Sequence, residues 1–146
     1  SVMVYDTSAA VTKRATMLEA AAGMGRIVQL PVVEWITACA VGDGKFYMVV
    51  PSYLDGLDLI ATHAKVVTAG TTGLLTIQIT NVTQAADMLI TKITIDSAEL
   101  GSDTAATPAV IDTANDDVAA YDTIRIDIDG IHTTPDKGLM VTLVFG

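Results

Sequence analysis

Aromatic residues are scarce in this chain, with one Trp, two Phe and four Tyr among 146 residues. Sugar rings are bound largely by stacking on exposed aromatic faces, so a glycan-binding surface would have few platforms to draw on. Trp35 lies in the apolar segment Val32-Val33-Glu34-Trp35-Ile36 and is expected in the core. Tyr47 falls within a strand and Tyr5 near the N-terminus, which leaves Tyr53 and Tyr121 as the loop platforms. Basic residues are few as well: eight Lys and Arg against 17 Asp and Glu give a net charge of −9. Nucleic-acid binding needs clustered Lys and Arg to release counterions, so DNA and RNA are excluded as partners. The single Cys39 cannot form an intramolecular disulfide; in its apolar surroundings it reads as a small buried hydrophobe.

Long apolar runs are absent too. The most apolar stretch, Ile27 to Val41, is broken by Gln29, Pro31 and Glu34, whereas a membrane-spanning helix needs about 20 nearly uninterrupted apolar residues. The first residues lack the basic region followed by an apolar stretch that marks a signal peptide. Catalytic and ligand-binding signatures are missing: there is no GxSxG elbow, and His63 and His132 stand far apart with no HxH or HExxH spacing. Gly70-Thr71-Thr72-Gly73 lacks the lysine and spacing of a phosphate loop. Asp112, Asp116, Asp117, Asp122, Asp127 and Asp129 do not match a calcium-loop spacing, and Asp127 and Asp129 read as a solvated strand face. No enzyme, cofactor or metal is expected.

What the chain has is strand grammar. Leu75–Thr80, Leu89–Ile95, Thr123–Asp129 and Leu139–Phe145 alternate branched aliphatics with Thr, Gln, Arg and Asp at period two, which places one set inward and the other outward. Further strands are read at Ile27–Ile36 around Pro31, at Lys45–Val50 after a Gly42-Asp43-Gly44 turn, at Leu57–Val67 and at Pro108–Ile111. Pro31 implies an edge or a bulge. Asp112–Ala120 reads as a helical turn capped by Asp112 or Thr113. The fold class is all-β: an antiparallel β-sandwich of about eight strands, jelly-roll-like, over residues 27–146, with a short N-terminal arm or helix at 1–26. The arm is rich in helix formers over Thr12–Met24 and is near neutral, so the acidity belongs to the rest. Apolar content of 51% is more than one small monomer needs, which points to an oligomer.

Several spaced motifs agree in order with a known pattern. They are Ser52-Tyr53-Leu54-Asp55-Gly56-Leu57-Asp58-Leu59 with Ile60–Ala64, Thr68–Gly73, Ile77–Thr83 into Asp87-Met88-Leu89, Pro108–Val118 and Lys137–Leu143. Together they resemble a β-sandwich module of tailed-bacteriophage virion proteins, found in head decoration (cement) proteins, head fibres and tail-fibre-like appendages. The likeness covers about residues 46–146.

The resemblance implies a virion structural role with no catalytic residues. The expectation is a decoration protein on the outer face of the assembled head, bound to the major capsid protein as a homotrimer and reinforcing the shell. An acidic protein would be repelled by packaged genome inside it. Val2, Val4, Tyr5, Met17 and Leu18 of the arm are the candidate capsid-binding residues. The alternative is a head-fibre or tail-appendage module that recognises a host-surface glycan through Tyr53 and Tyr121.

Overall fold

Isoleucine at every second position dictates the middle of the molecule. In Thr123-Ile124-Arg125-Ile126-Asp127-Ile128, the three Ile side chains all point to one side and all are fully buried. The computed structural model describes residues 26–146. Its strands are β1 (Arg26–Ala38), β2 (Gly42–Val49), β3 (Leu59–Lys65), β4 (Leu74–Asn81) and β5 (Ala86–Asp87), followed by β6 (Leu89–Thr91), β7 (Ile93–Asp96), β8 (Val110–Ile111), β9 (Thr123–Gly130) and β10 (Lys137–Phe145).

Every strand pair is antiparallel. One sheet has the order β1-β10-β3; the other has β2-β9-β4, with β5 and β7 sharing the outer edge of β4. Strands β1 to β4 thus alternate between sheets, as do β9 and β10, and the β9–β10 pair lies between β1–β2 and β3–β4. This is the order of a jelly roll, in which a long hairpin wraps back on itself to make two facing sheets. The small β6–β8 ladder stands apart from both sheets.

The two inner faces make one core. Leu139, Val141, Leu143 and Phe145 of β10 face Ile77 and Ile79 of β4 and Ile124, Ile126 and Ile128 of β9, with Ile93 and Ile95 closing the edge. Fully buried aliphatics of this size contribute about 1.5–3 kcal/mol each, which makes this alternation the main source of stability.

Pro31 does sit on an edge strand, and the β1–β10 register shifts immediately after it. Other sequence expectations need correction. The described residues form ten strands, not about eight. The Gly42–Gly44 turn lies within β2, opposite Ile128 of β9, and the register breaks before Phe46. The long strand at 57–67 is confined to Leu59–Lys65. The strand expected over Leu89–Ile95 is split, because β5 and β7 both pair with β4 while β6 bulges out to meet β8. Gln78 bridges the gap: its Nε2 donates to the Leu89 carbonyl at 3.1 Å and its Oε1 accepts from the Ile79 amide at 2.9 Å. No helix forms at Asp112–Ala120, where Asp112 Oδ1 instead accepts the Ala114 amide in a tight turn.

Asp127 departs furthest from its expected setting. On the outer face of β9 it is only 3% exposed. Arg125 grips it through Nε–Oδ1 at 2.8 Å and Nη2–Oδ2 at 2.9 Å, and the Gly44 amide donates to Oδ1 at 2.8 Å. The carboxylate therefore fastens the irregular start of β2 to β9. Replacing Asp127 with Asn keeps the shape but removes the charge from these bonds. Hydrogen bonds to charged groups are worth about 1.5–3 kcal/mol, and the unfolding free energy measured in urea should fall by that amount.

Asp122 plays a similar role at one end of the sandwich, accepting from Asn81 Nδ2 at 2.9 Å, Gln84 Nε2 at 3.0 Å and the Ala119 amide at 3.0 Å. Burial raises its pKa, but these donors outweigh burial and hold the carboxyl below its ordinary value. A depressed native pKa means stability that is present above the unfolded pKa of about 3.9 and is lost as pH falls through the native value. Melting curves below about pH 4 should therefore show a shallower acid loss for Asp122→Asn than for the parent, from a lower starting stability.

Candidate functional site: an apolar groove on the three-stranded sheet

A two-layer sandwich leaves each sheet with an outer face, and the two differ in chemistry. The larger sheet carries Arg125, Asp127 and the Lys92–Asp129 ion pair at 2.8 Å. The three-stranded sheet carries apolar side chains with Lys65 and His63. Its registers place Gln29, Thr142 and His63 in one row and Pro31, Met140 and Lys65 in the next. Period two sends these residues outward, because Val141 and Leu143 between them point into the core.

Beyond these rows β1 leaves the ladder. Val33 pairs with Leu139 and Ala38 with Lys137, so residues 34–37 bulge opposite Gly138. The bulge rests directly on that glycine. A Cβ at Gly138 would lie 3.1 Å from Trp35 Cα, 3.2 Å from Trp35 O and 3.0 Å from Val67 Cγ2, and its φ of +71° is in the left-handed region. Trp35 is thereby swung out of the core position expected for it and is 48% exposed. It forms one wall of a groove of about 390 Å³ with Gln29, His63, Lys65, Val66, Val67, Leu100, Met140 and Thr142. That volume lies at the low end of the range of about 300–1,000 Å³ of small-ligand sites. The lining holds no carboxylate.

Of the residues singled out from sequence, Val2, Val4, Tyr5, Met17 and Leu18 lie outside the described residues. Tyr53 and Tyr121 are 60% and 75% exposed, and the structure brings their loops together. The Tyr121 amide donates to Val50 O at 2.7 Å and the Ala120 amide to Asp55 Oδ1 at 2.8 Å. Arg26 stands 5.9 Å from the centre of the Tyr53 ring, so that face is shared with a cation. This end is remote from the groove along β1, since Arg26 opens the strand and Trp35 sits near its close.

Among the described residues no group of three or more His, Cys, Asp or Glu side chains is placed to hold a metal ion. Asp116 is pushed up by burial and by Asp58, and the acidic side chains around it repel one another without converging. Cys39 is buried, as expected, and its thiol is pushed up to about 11 by burial and by nearby Asp136. It is a protonated, shielded thiol and not a nucleophile at neutral pH. No helix among the described residues is long and apolar enough to cross a membrane.

The groove was not visible in the sequence. Its one signal was a lone Trp in an apolar run flanked by Glu34 and Thr37, which bond each other across the bulge at 3.2 Å. Comparison with protein-family models, with curated proteins and with solved structures finds no match. The class defined by fold and surface among the described residues is an all-β jelly-roll sandwich with an acidic body and an apolar groove.

Proposed function

We propose that the chain is a virion structural protein that decorates the outer face of an assembled phage head as a homotrimer and reinforces it. The observation that carries this reading is the strand order, β1-β10-β3 facing β2-β9-β4, which viral shell proteins share. Three further points support it. The ordered motifs over residues 46–146 resemble phage virion modules. The charge of −9 falls entirely on residues 26–146, because Lys13 and Arg14 are balanced by Asp6 and Glu19, so the sandwich would be repelled by packaged genome. Closed threefold symmetry fits the threefold junctions of a shell, where three linked weak contacts combine through effective concentration into a durable clamp.

The arm, with Val2, Val4, Tyr5, Met17 and Leu18, is the proposed contact with the major capsid protein. Undecorated heads mixed with the purified chain should bind it across the shell, and deletion of residues 1–24 should abolish that binding while leaving a folded trimer. Full occupancy by the truncated chain would sink the arm assignment.

The adjacency of the exposed Tyr53 and Tyr121 loops favours a second reading, an appendage that binds a host-surface glycan. Lectins use the same fold class. A few copies at a vertex or tail, with a glycan-array signal removed by Tyr53→Ala, would establish that reading in place of the first.

A further inference from the structure

The sandwich carries two contrasting surfaces at its two ends, and each has what the other lacks. At one end Trp35, Val67 and Leu100 are about half exposed around Met140, in a groove with Lys65 and His63 at its rim and no carboxylate in its lining. Lys65 has no ion-pair partner among the described residues, and neither does Lys137, which pairs with Ala38 where the Trp35 bulge closes. Exposed apolar surface gathered in one place marks an interaction site more often than an accident of packing.

At the other end Tyr121 is 75% exposed, and its φ of +70° puts a bulky side chain in the left-handed region. Strained backbone persists only where its surroundings impose it, and such residues gather at sites that bind. Here the Tyr121 amide is tied to Val50 and the preceding Ala120 amide to Asp55. The surroundings are acidic: Asp55, Asp58 and Asp117 are exposed, and Asp58 bridges to Asp117 between the two loops. None of the three has an ion-pair partner among the described residues.

We propose that this acidic, tyrosine-bearing end of one copy docks in the Trp35 groove of the next, with Tyr121 on the apolar floor and a carboxylate of its loops at Lys65. Charge complementarity makes a second copy of this chain the occupant, since unpaired acids flank the aromatic and unpaired lysines flank the groove. One chain cannot make the contact with itself. Nine residues of β1 separate Arg26, beside Tyr53, from Trp35, about 30 Å at strand rise. The net charge of −9 on each copy opposes approach, but salt screens it beyond about 8–10 Å, and the surfaces that meet are of opposite sign.

Such a contact is heterologous, because the surface given differs from the surface received. An end that meets a face also turns each copy relative to the last, the condition for the contacts to close into a ring. A buried tyrosine covers only about 150–250 Å², against about 800 Å² per partner in a standard interface. One contact alone is therefore weak, and linkage in a closed ring of three makes it durable. The inference rests on the homotrimer part of the reading above, to which it adds the contact, and not on the virion part.

Trp35 is the chain's sole tryptophan, so its emission reports on the groove. Light scattering from the purified chain without heads should give a trimer mass. Tyr121→Gly removes the anchor and relieves the left-handed backbone, so it should be monomeric with an unchanged circular-dichroism spectrum and a red-shifted Trp35. Trp35→Ala should also be monomeric, and it is dark at tryptophan wavelengths. Mixing the two restores one intact contact. Titrating the dark chain into Tyr121→Gly should shift emission to the blue and lower acrylamide quenching several-fold. The double variant Trp35→Ala/Tyr121→Gly should do nothing as titrant, and Lys65→Glu in the fluorescent chain should weaken the titration at least about tenfold. Should Tyr121→Gly fold poorly, Tyr121→Asn takes its place, since Asn also tolerates the left-handed region. A parent that is monomeric at every concentration overturns the homotrimer and this contact together. A trimer that survives both Tyr121→Gly and Trp35→Ala overturns the contact alone, as does shielding by the double variant. No head is present in any of these measurements, so their failure is distinct from a failure to decorate one.

Discussion

Replacing Asp136 with alanine is expected to destabilise the fold by about 3–5 kcal/mol, because it leaves several buried polar groups without hydrogen-bond partners. Asp136 and His132 are both fully buried, four residues apart in the β9–β10 connection, with His132 Nδ1 and Asp136 Oδ1 at 2.5 Å. The second carboxyl oxygen accepts the Gly70 amide at 3.1 Å. Around this pair, loops 68–72 and 133–137 are laced by backbone bonds, including Thr71 N to Thr134 O at 3.0 Å and Lys137 N to Thr68 O at 3.0 Å. His132 Nε2 already has no hydrogen-bond partner among the described residues. Without Asp136 neither ring nitrogen would be bonded, and the Gly70 amide would be orphaned too.

Each such loss costs about 1–3 kcal/mol in a buried setting, and small domains hold only about 5–15 kcal/mol in all. At about 2–4 °C per kcal/mol for a chain of this size, calorimetry should show a drop of about 6–20 °C. Asp136→Asn, which keeps an acceptor, should fall between the two. A melting temperature for Asp136→Ala within about 2 °C of the parent would mean that the clasp holds nothing. Gly70 belongs to the same device, since a Cβ there would lie 2.6 Å from His132 Nδ1 and 2.7 Å from Thr134 O.

This clasp shows where legibility in the sequence ends. Period-two alternation places Ile124, Ile126 and Ile128 inward without ambiguity, because the geometry of a strand leaves no other choice. The same alternation says that Asp127 points outward and nothing about what lies over it. It is held by Gly44 and Thr80 on the neighbouring strands and by Arg125 on its own. The break after Thr91 was hidden for a similar reason: a strand interrupted by a bulge keeps its apolar spacing, and only Gln78 on β4 shows how the gap is bridged. Gly70, His132 and Asp136 each look like ordinary loop residues. They become a unit only once loops more than sixty residues apart are joined. Trp35 misled in the other direction, as its apolar neighbours suggested the core while the register slip opposite Gly138 turned it out. Local pattern determines which face a residue takes; pairing between distant strands determines what covers that face.

That distinction yields a direct test with isoleucine at two addresses. Ile126 sits mid-strand on β9, paired with Phe46 of β2 on one side and Ile79 of β4 on the other, and it is 0% exposed. Truncation to alanine leaves a cavity that flanking strands cannot close, because both are held in register. Such changes cost about 2–5 kcal/mol, the upper part reflecting sites that fail to collapse. Melting should fall by about 4–20 °C. Any head binding should be lost along with the fold once the assay temperature approaches the lowered transition. Ile36, 79% exposed on the β1 bulge, is the control, and its truncation should stay within about 0.5 kcal/mol. Equal effects at the two positions would mean that the facing sheets do not meet at Ile126. A large effect at Ile36 alone would mean that the bulge, and not the sandwich interior, carries the apolar contacts that hold the protein together.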